Sequence, residues 1–388
     1  MARRTPDVDL SSLLAAKEMV LVCGSGGVGK TTAAAAMGVA AACDLGGRVL
    51  VLTVDPARRL ADALGVGRIG NVATRVPDAA FEEVGVEPRG ELWAAMLDTK
   101  AGWDELIRRH APDAAVRDSV LANPLYQNIT GRFVHSHDYL AMEQLHELHS
   151  SGEWDLIIVD TPPSRNALDV LDAPGRMKEF FGSRLLKWLT VPYRSRLFTV
   201  ASKPFYQVAD RVLGSRFLQD IAEFFILFQA MEGAFVEHAR EVERLLADPR
   251  TTFVVVSTLE AAPSYEAAYL ARELVRRDFH LGAIIANRVL PATFTAKCSA
   301  TSARRLVELA DGPLADEVAE ELDSDRAVVA GVLAEIGSRF DDVRVVATRE
   351  AERRAELAEL SSLLVTAPVL DRDVNDIADL LDLAGRFS

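Results

Sequence analysis

Cysteine is scarce in this chain. Cys23, Cys43 and Cys298 are spread over 388 positions and form no CxxC pair. That excludes a disulfide framework and predicts a reducing compartment. Long apolar runs are also missing. The greasiest segment, Ile221 to Phe228, is broken by Glu223 and flanked by Asp220 and Gln229, far short of the ~20 apolar residues that span a bilayer. No secretory leader is expected, because the basic start Met1-Ala2-Arg3-Arg4 runs into polar Thr5 to Asp9 where an apolar core would have to begin. Positive charge is in deficit: 43 Lys and Arg face 57 Asp and Glu, a formal net of −14. So acidic a surface repels phosphate backbones and anionic lipid, which argues against nucleic acid as a partner. The expectation is a cytoplasmic chain that meets a membrane only through a partner.

What is present is a core. Hydrophobic residues make up 49% and charged ones 26%, the balance of a globular protein with one large α/β domain or two modest ones. Short apolar runs rich in β-branched residues occur at Met19 to Cys23, Val49 to Val54, Leu156 to Val159, Phe253 to Ser257, Ala283 to Asn287 and Leu363 to Thr366. Separated by helical segments, they predict an α/β fold whose mostly parallel sheet is covered by helices on both faces. We expect a single domain over residues 1–388 with helical insertions at about 81–149 and 175–248, and a charged, solvated helical stretch at about 301–360. The second insertion is aromatic-rich from Met177 to Phe235. Its aromatics serve either core packing or a groove for an apolar helix.

Three motifs carry chemistry. The first, Gly24-Ser25-Gly26-Gly27-Val28-Gly29-Lys30-Thr31, matches GxxxxGK[ST], occurs once, and lies between a strand and an Ala-rich helix. Glycines let backbone N–H groups turn inward on phosphate, the helix N-terminus adds positive potential, and Lys30 neutralises charge. Thr31 offers a hydroxyl to Mg2+, and the cradle extends to Thr32. The second is Val54-Asp55-Pro56-Ala57, where Asp55 either orients an attacking water or caps the next helix. The third is Ile157-Ile158-Val159-Asp160-Thr161-Pro162-Pro163, where Asp160 either holds the magnesium shell or begins a plain turn. The histidines add little. His146 and His149 are three apart on a helix, yet no carboxylate or Cys motif completes a metal set, and a solvated face explains them. His135 and His137 read as structural.

In order and content, GSGGVGKTT, TVDPARRLADAL and IIVDTPPSRNALDVLDAP resemble the arsenite-pump ATPase family, deviant Walker A proteins that include ArsA and the eukaryotic ATPase guiding tail-anchored proteins to membranes. The chain looks like a single-half bacterial member. FVVVSTLEAAPSYEAAYLARELVRRDFHLGAIIANRVLP resembles the family stretch that ends in the adenine-reading Asn, here Asn287. TAPVLDRDVNDIADL resembles its adenine loop, here Pro368 and Val369. The resemblance implies ATP and Mg2+ as ligands, switch regions at Asp55 and Asp160, and a nucleotide-sandwich dimer.

Four departures qualify it. Ser25 stands where the family has a lysine that reaches the partner's nucleotide. Arg165-Asn166 replaces the family's Gly-His. Cys298-Ser299-Ala300-Thr301 breaks the CxxC that holds a zinc at the dimer seam of the tail-anchored branch. Cys23 and Cys43 belong to the P-loop strand and helix, which argues against a metalloid site. Ser25 therefore points to a heterodimer with a paralogous ATPase that carries the lysine, with a homodimer as the alternative. Three outputs remain open: energising or gating anion transport, chaperoning apolar helices as clients, or acting as a regulatory ATP-binding subunit.

Overall fold

In the computed structural model of the chain, the described residues are 9–54, 59–67, 69–96, 99–123, 136–162 and 232–387, with Tyr126, Gly175, Glu179, Phe224–Ile226 and Ala230 between them. An eight-stranded sheet organises them. Its strands are β1 (Met19–Cys23), β2 (Gly47–Thr53), β3 (Thr74–Arg75), β4 (Gly90–Met96), β5 (Leu156–Asp160), β6 (Thr251–Thr258), β7 (Leu281–Val289) and β8 (Leu364–Pro368). In space they run β3-β4-β2-β5-β1-β6-β7-β8. Every pairing is parallel except the edge pair β3–β4.

β1 sits between β5 and β6, with Met19 level with Ile157 on one side and Thr251 on the other. From β1 the chain first builds outward through β2 and β4, then returns through β5, and from β6 builds the other half. The carboxyl end of β1 is thus where the winding reverses, the crevice in which open parallel sheets bind ligands.

Alternation along β1 divides the core. Val20 and Val22 face a cluster built from the helices α1 (Leu10–Ala15) and α2 (Lys30–Asp44), together with Ile377, Leu380 and Leu383. Met19, Leu21 and Cys23 face the opposite cluster, with Met142 and Leu145, Val242 and Leu246, Leu270 and Leu357. Both faces being buried is why these strands read as unbroken apolar runs.

The interval 81–149, expected to be helical, is corrected over Gly90–Met96. That segment is β4, in parallel register with β2 from Gly47↔Gly90 to Thr53↔Met96. GELWAAM contains no β-branched residue, so the usual strand signal is absent and burial beside β2 decides its conformation. The other regular elements there are helices: α4 (Asp78–Glu82), α5 (Thr99–His110), α6 (Ala114–Ala122) and α7 (Ser136–Ser150), following α3 (Arg59–Ala63). Most of 175–248 lies outside the described residues. Its end is α8 (Glu232–Leu246), which buries Phe235, Ala239, Val242 and Leu246 at helical spacing. After α9 (Ala261–Arg276), the charged stretch forms α10 (Lys297–Glu308), α11 (Pro313–Glu321) and α12 (Arg326–Ala358), and α13 (Ile377–Gly385) closes the chain. Asp325 caps α12 by accepting from Ala327 and Val328 N–H. Among the described residues, no helix is long and apolar enough to cross a membrane.

Candidate functional site

The loop after β1 is shaped by two glycines. Gly24 has φ 147°, and a Cβ there would strike the Val256 carbonyl of β6. Gly29, at φ 94°, is the left-handed N-cap of α2, and a Cβ there would strike the Asn287 amide. No side chain other than hydrogen fits either position without displacing its neighbour.

Lys30, the first residue of α2, is buried and donates from Nζ to the Ser25 carbonyl at 2.8 Å. Its ammonium folds back over the loop whose amides would hold phosphate. Thr31 Oγ1 donates to Asp160 Oδ2 at 2.6 Å, and Thr53 Oγ1 donates to the same oxygen at 3.1 Å. Thr53 meets Asp160 because β2 and β5 place them level. Asp160 is fully enclosed, at 1% exposure. Two hydroxyls converging on a buried carboxylate beside a phosphate loop form a hard-oxygen donor set, which suits Mg2+ and its preference for few protein ligands.

On the other side, Asn287 ends the regular part of β7. Its Nδ2 donates to the Val28 carbonyl at 2.8 Å, and its Oδ1 accepts from the Arg288 N–H at 2.9 Å. Arg288 adopts φ 58°, and the β7–β8 register slips between Ala286 and Val289. The strand therefore turns its last residues over the loop.

A cavity of about 910 Å3 joins these parts. Of the residues expected at the site, Gly27, Gly29, Lys30, Thr31, Thr32, Asp160, Asn287, Pro368 and Val369 line it. Gly24 and Val28 are buried beneath the loop, Ser25 is half-buried and Gly26 exposed. Asp55 lies outside the described residues, as do Arg165 and Asn166. Val54, next to Asp55, donates its N–H to the Asp160 carbonyl at 3.2 Å. Leu60, Asp62, Arg288, Arg372 and Asn375 also line the cavity, and sequence reasoning does not single them out. Arg372 is held by Asp379 at 2.5 Å, whose other oxygen accepts the Asn375 N–H at 3.0 Å. The only sequence signal for these two was their place just after Pro368 and Val369.

Of the cysteines, Cys23 is buried and Cys43 partly so, and burial pushes their thiols up to about 12 and about 11. Both are poor thiolate ligands at neutral pH. Cys298 is exposed.

A parallel sheet reversing its winding at a glycine loop, a buried lysine at the following helix N-terminus, and a hydroxyl–carboxylate pair beside it define a P-loop ATPase. Residues 17–335 match the family described as anion-transporting ATPases, ArsA. The chain belongs to that family. It is similar to ATPase GET3 of Malassezia globosa, 24% identical over 287 residues, or 74% of this chain and 76% of that one. It is also similar to the ATPase ASNA1 homolog of Entamoeba dispar, 23% identical over 280 residues, or 70% and 76% of the two chains. An uncharacterized Streptomyces coelicolor protein is 29% identical over 274 residues, covering 70% of this chain and 62% of that one.

Proposed function

We propose that the chain is a Mg2+-dependent ATP-hydrolysing subunit of a nucleotide-gated dimer, and that its cycle energises or gates anion transport through a membrane partner. The observation that carries the catalytic half is the single cavity into which Lys30, the Thr31–Asp160 pair and Asn287 all open. Lys30 and the loop amides bind the phosphates, Thr31 and Asp160 hold Mg2+, and Asp55 positions water. Asn287 with Pro368 and Val369 receives the adenine. Bound Mg2+ supplies charge neutralisation on the phosphates; the remaining work is positioning by this chain.

Support for a second subunit lies on α12. Val328, Val332 and Ile336, four apart on one side, are 62%, 50% and 53% exposed, an apolar stripe that one chain leaves uncovered. Beside it, α10 carries Cys298 to Thr301, the stretch that resembles the family's dimer seam, and the two helices pack together. The family description supports anion transport as the output. Similarity to ATPases named GET3 supports a second reading, a nucleotide-gated chaperone for apolar helices.

The experiment is isolation of the native protein with an Asp55→Asn substitution, intended to hold ATP without turnover, followed by identification of what co-purifies. A membrane transporter whose anion flux then requires ATP hydrolysis by this chain supports the first reading. Capture of single-helix tail-anchored clients instead overturns it in favour of the second.

A further inference from the structure

Three helices on the face opposite α2 bring together side chains that no local motif announces. His110 ends α5, Glu143 and His146 lie on α7, and His238 and Glu241 lie on α8. His110 Nε2 and His238 Nδ1 each lie 3.0 Å from the same oxygen, Glu143 Oε1. The side chains of His110 and Glu143 are 5% and 6% exposed. Around them, His146 Nε2 and His238 Nδ1 both lie 3.8 Å from Glu241 Oε2. The ligand atoms of His110, Glu143 and His238 fall within 4.8 Å of one another, as do those of His146, His238 and Glu241. His238 Nδ1 belongs to both groups. Although buried, it makes no hydrogen bond of acceptable geometry among the described residues.

We propose that His110, Glu143 and His238 form a binding site for a divalent first-row transition ion, zinc by its ligand chemistry, with the fourth position turned toward His146 and Glu241. Ligand bonds of ~2.0–2.1 Å in a tetrahedron place donor atoms about 3.3 Å apart. The two 3.0 Å separations to Glu143 Oε1 approach that edge length. The imidazoles are crowded: the His110 and His238 rings are centred 4.3 Å apart, and His146 and His238 5.7 Å apart. Three imidazoles and two carboxylates in these two overlapping groups make the mixed nitrogen and oxygen donor set that zinc takes. Imidazole nitrogen selects zinc and its neighbours over Mg2+ or Ca2+. The Phe235 ring, 5.7 Å from that of His110, adds an apolar wall of the kind that keeps solvent off a metal.

His149 takes no part, since its Nε2 is paired with Glu18 at 3.0 Å. The site is independent of the seam zinc lost at Cys298 and of the phosphate cavity. An ion there joins α5, α7 and α8. Two of these helices lead directly into β5 and β6, the strands on either side of β1, so occupancy stiffens the support of the nucleotide loop.

The test uses the full chain, stripped with a chelator and kept in excess Mg2+ so that Mg2+ occupies the phosphate cavity. Co2+ is titrated in, and Zn2+ is then added in competition. One equivalent of Co2+ should bind with the strong visible absorption of a tetrahedral centre, Zn2+ should displace it, and either ion should raise Tm. His238→Ala and Glu143→Gln should each weaken binding by at least about 100-fold, while Cys298→Ser leaves it unchanged. Should those two variants fail to fold, as judged by circular dichroism, His146→Gln at the more open rim should still alter the cobalt spectrum. Wild-type protein that binds less than one equivalent, binding undiminished in His238→Ala, or binding lost in Cys298→Ser each overturns the proposal.

Discussion

The hydroxyl of Thr31 donates to Asp160 Oδ2 over 2.6 Å, tying the first turn of α2 to the end of β5 across 129 positions of sequence. Mg2+ entering this pair would replace a hydroxyl–carboxylate bond with two metal contacts from groups already in place. Asp160→Asn keeps the shape and removes the charge. It should raise the Mg2+ concentration for half-maximal ATPase activity by about 10–100-fold, with the fold unchanged by circular dichroism. An unaltered Mg2+ titration would reduce Asp160 to a structural partner of Thr31 and Thr53.

Lys30 is the buried cation at the phosphate end of the cavity, and its ammonium rests on the Ser25 carbonyl at 2.8 Å. That bond must give way when phosphate arrives. Lys30→Ala should abolish ATP binding or hydrolysis while leaving the fold intact. Calorimetric titration with ATP checks the first part and thermal melting the second. Full ATP affinity with normal turnover would remove the phosphate role from this loop.

The water-positioning role proposed for Asp55 predicts that binding and chemistry come apart. Val54, the residue before it, donates its N–H to the Asp160 carbonyl, and Asp55 itself lies outside the described residues. Asp55→Asn should keep ATP affinity within a few-fold and slow hydrolysis by about 10²–10³, the loss expected when water is no longer oriented. Turnover at the normal rate in Asp55→Asn would leave Asp55 as a helix cap.

The legibility of these parts in the sequence follows from how each is built. Val20, Val22, Ile158 and Val254 are buried on one face of the central strands, and Met19, Leu21, Ile157, Val159 and Val255 on the other, so unbroken apolar runs mark β1, β5 and β6 directly. β4 escapes because its burial rests on Leu92, Ala94 and Ala95, residues as common in helices. The GxxxxGK[ST] spacing is local, so the loop is readable. Thr53 as a second donor to Asp160 is not, because it depends on the β2–β5 register. Arg372 and Asn375 reach the cavity from an irregular loop with no periodicity to read. The His110–Glu143–His238 cluster draws on three helices far apart in sequence, and only packing brings them together.

The thiols offer a check on the metalloid question. Burial drives Cys23 up to about 12 and Cys43 up to about 11, so both stay protonated and slow at pH 8, while exposed Cys298 is accessible. Maleimide should label one site rapidly, and Cys298→Ser should abolish that labelling. Arsenite needs clustered thiolates and should leave the ATPase rate unchanged. Metalloid-stimulated turnover would contradict this assignment.

If the chain works as the proposed dimer, Ser25 bears on its partner. In a nucleotide-sandwich dimer, a lysine at this loop position reaches across to the other subunit's phosphates, where the transition state spreads negative charge. A cation supplied in trans in this way is worth a factor of ~10³–10⁵ in rate. A serine side chain is uncharged and too short to cross, and in this chain the cation of the loop itself, Lys30, is tied to the Ser25 carbonyl. A homodimer lacks the trans lysine at both sites and should hydrolyse ATP slowly. A paralogue carrying the lysine completes the site built around Lys30 of this chain, while the paralogue's own site faces Ser25 and stays weak. The expected assembly is thus a heterodimer with one fast site. Ser25→Lys in the isolated chain should raise its rate by at least about 10-fold, because each copy then supplies what the other lacks. The competing account places Arg165, outside the described residues, as the replacement in cis. A purified chain that is already fast, unmoved by Ser25→Lys and disabled by Arg165→Ala, would establish the cis replacement and reject the heterodimer.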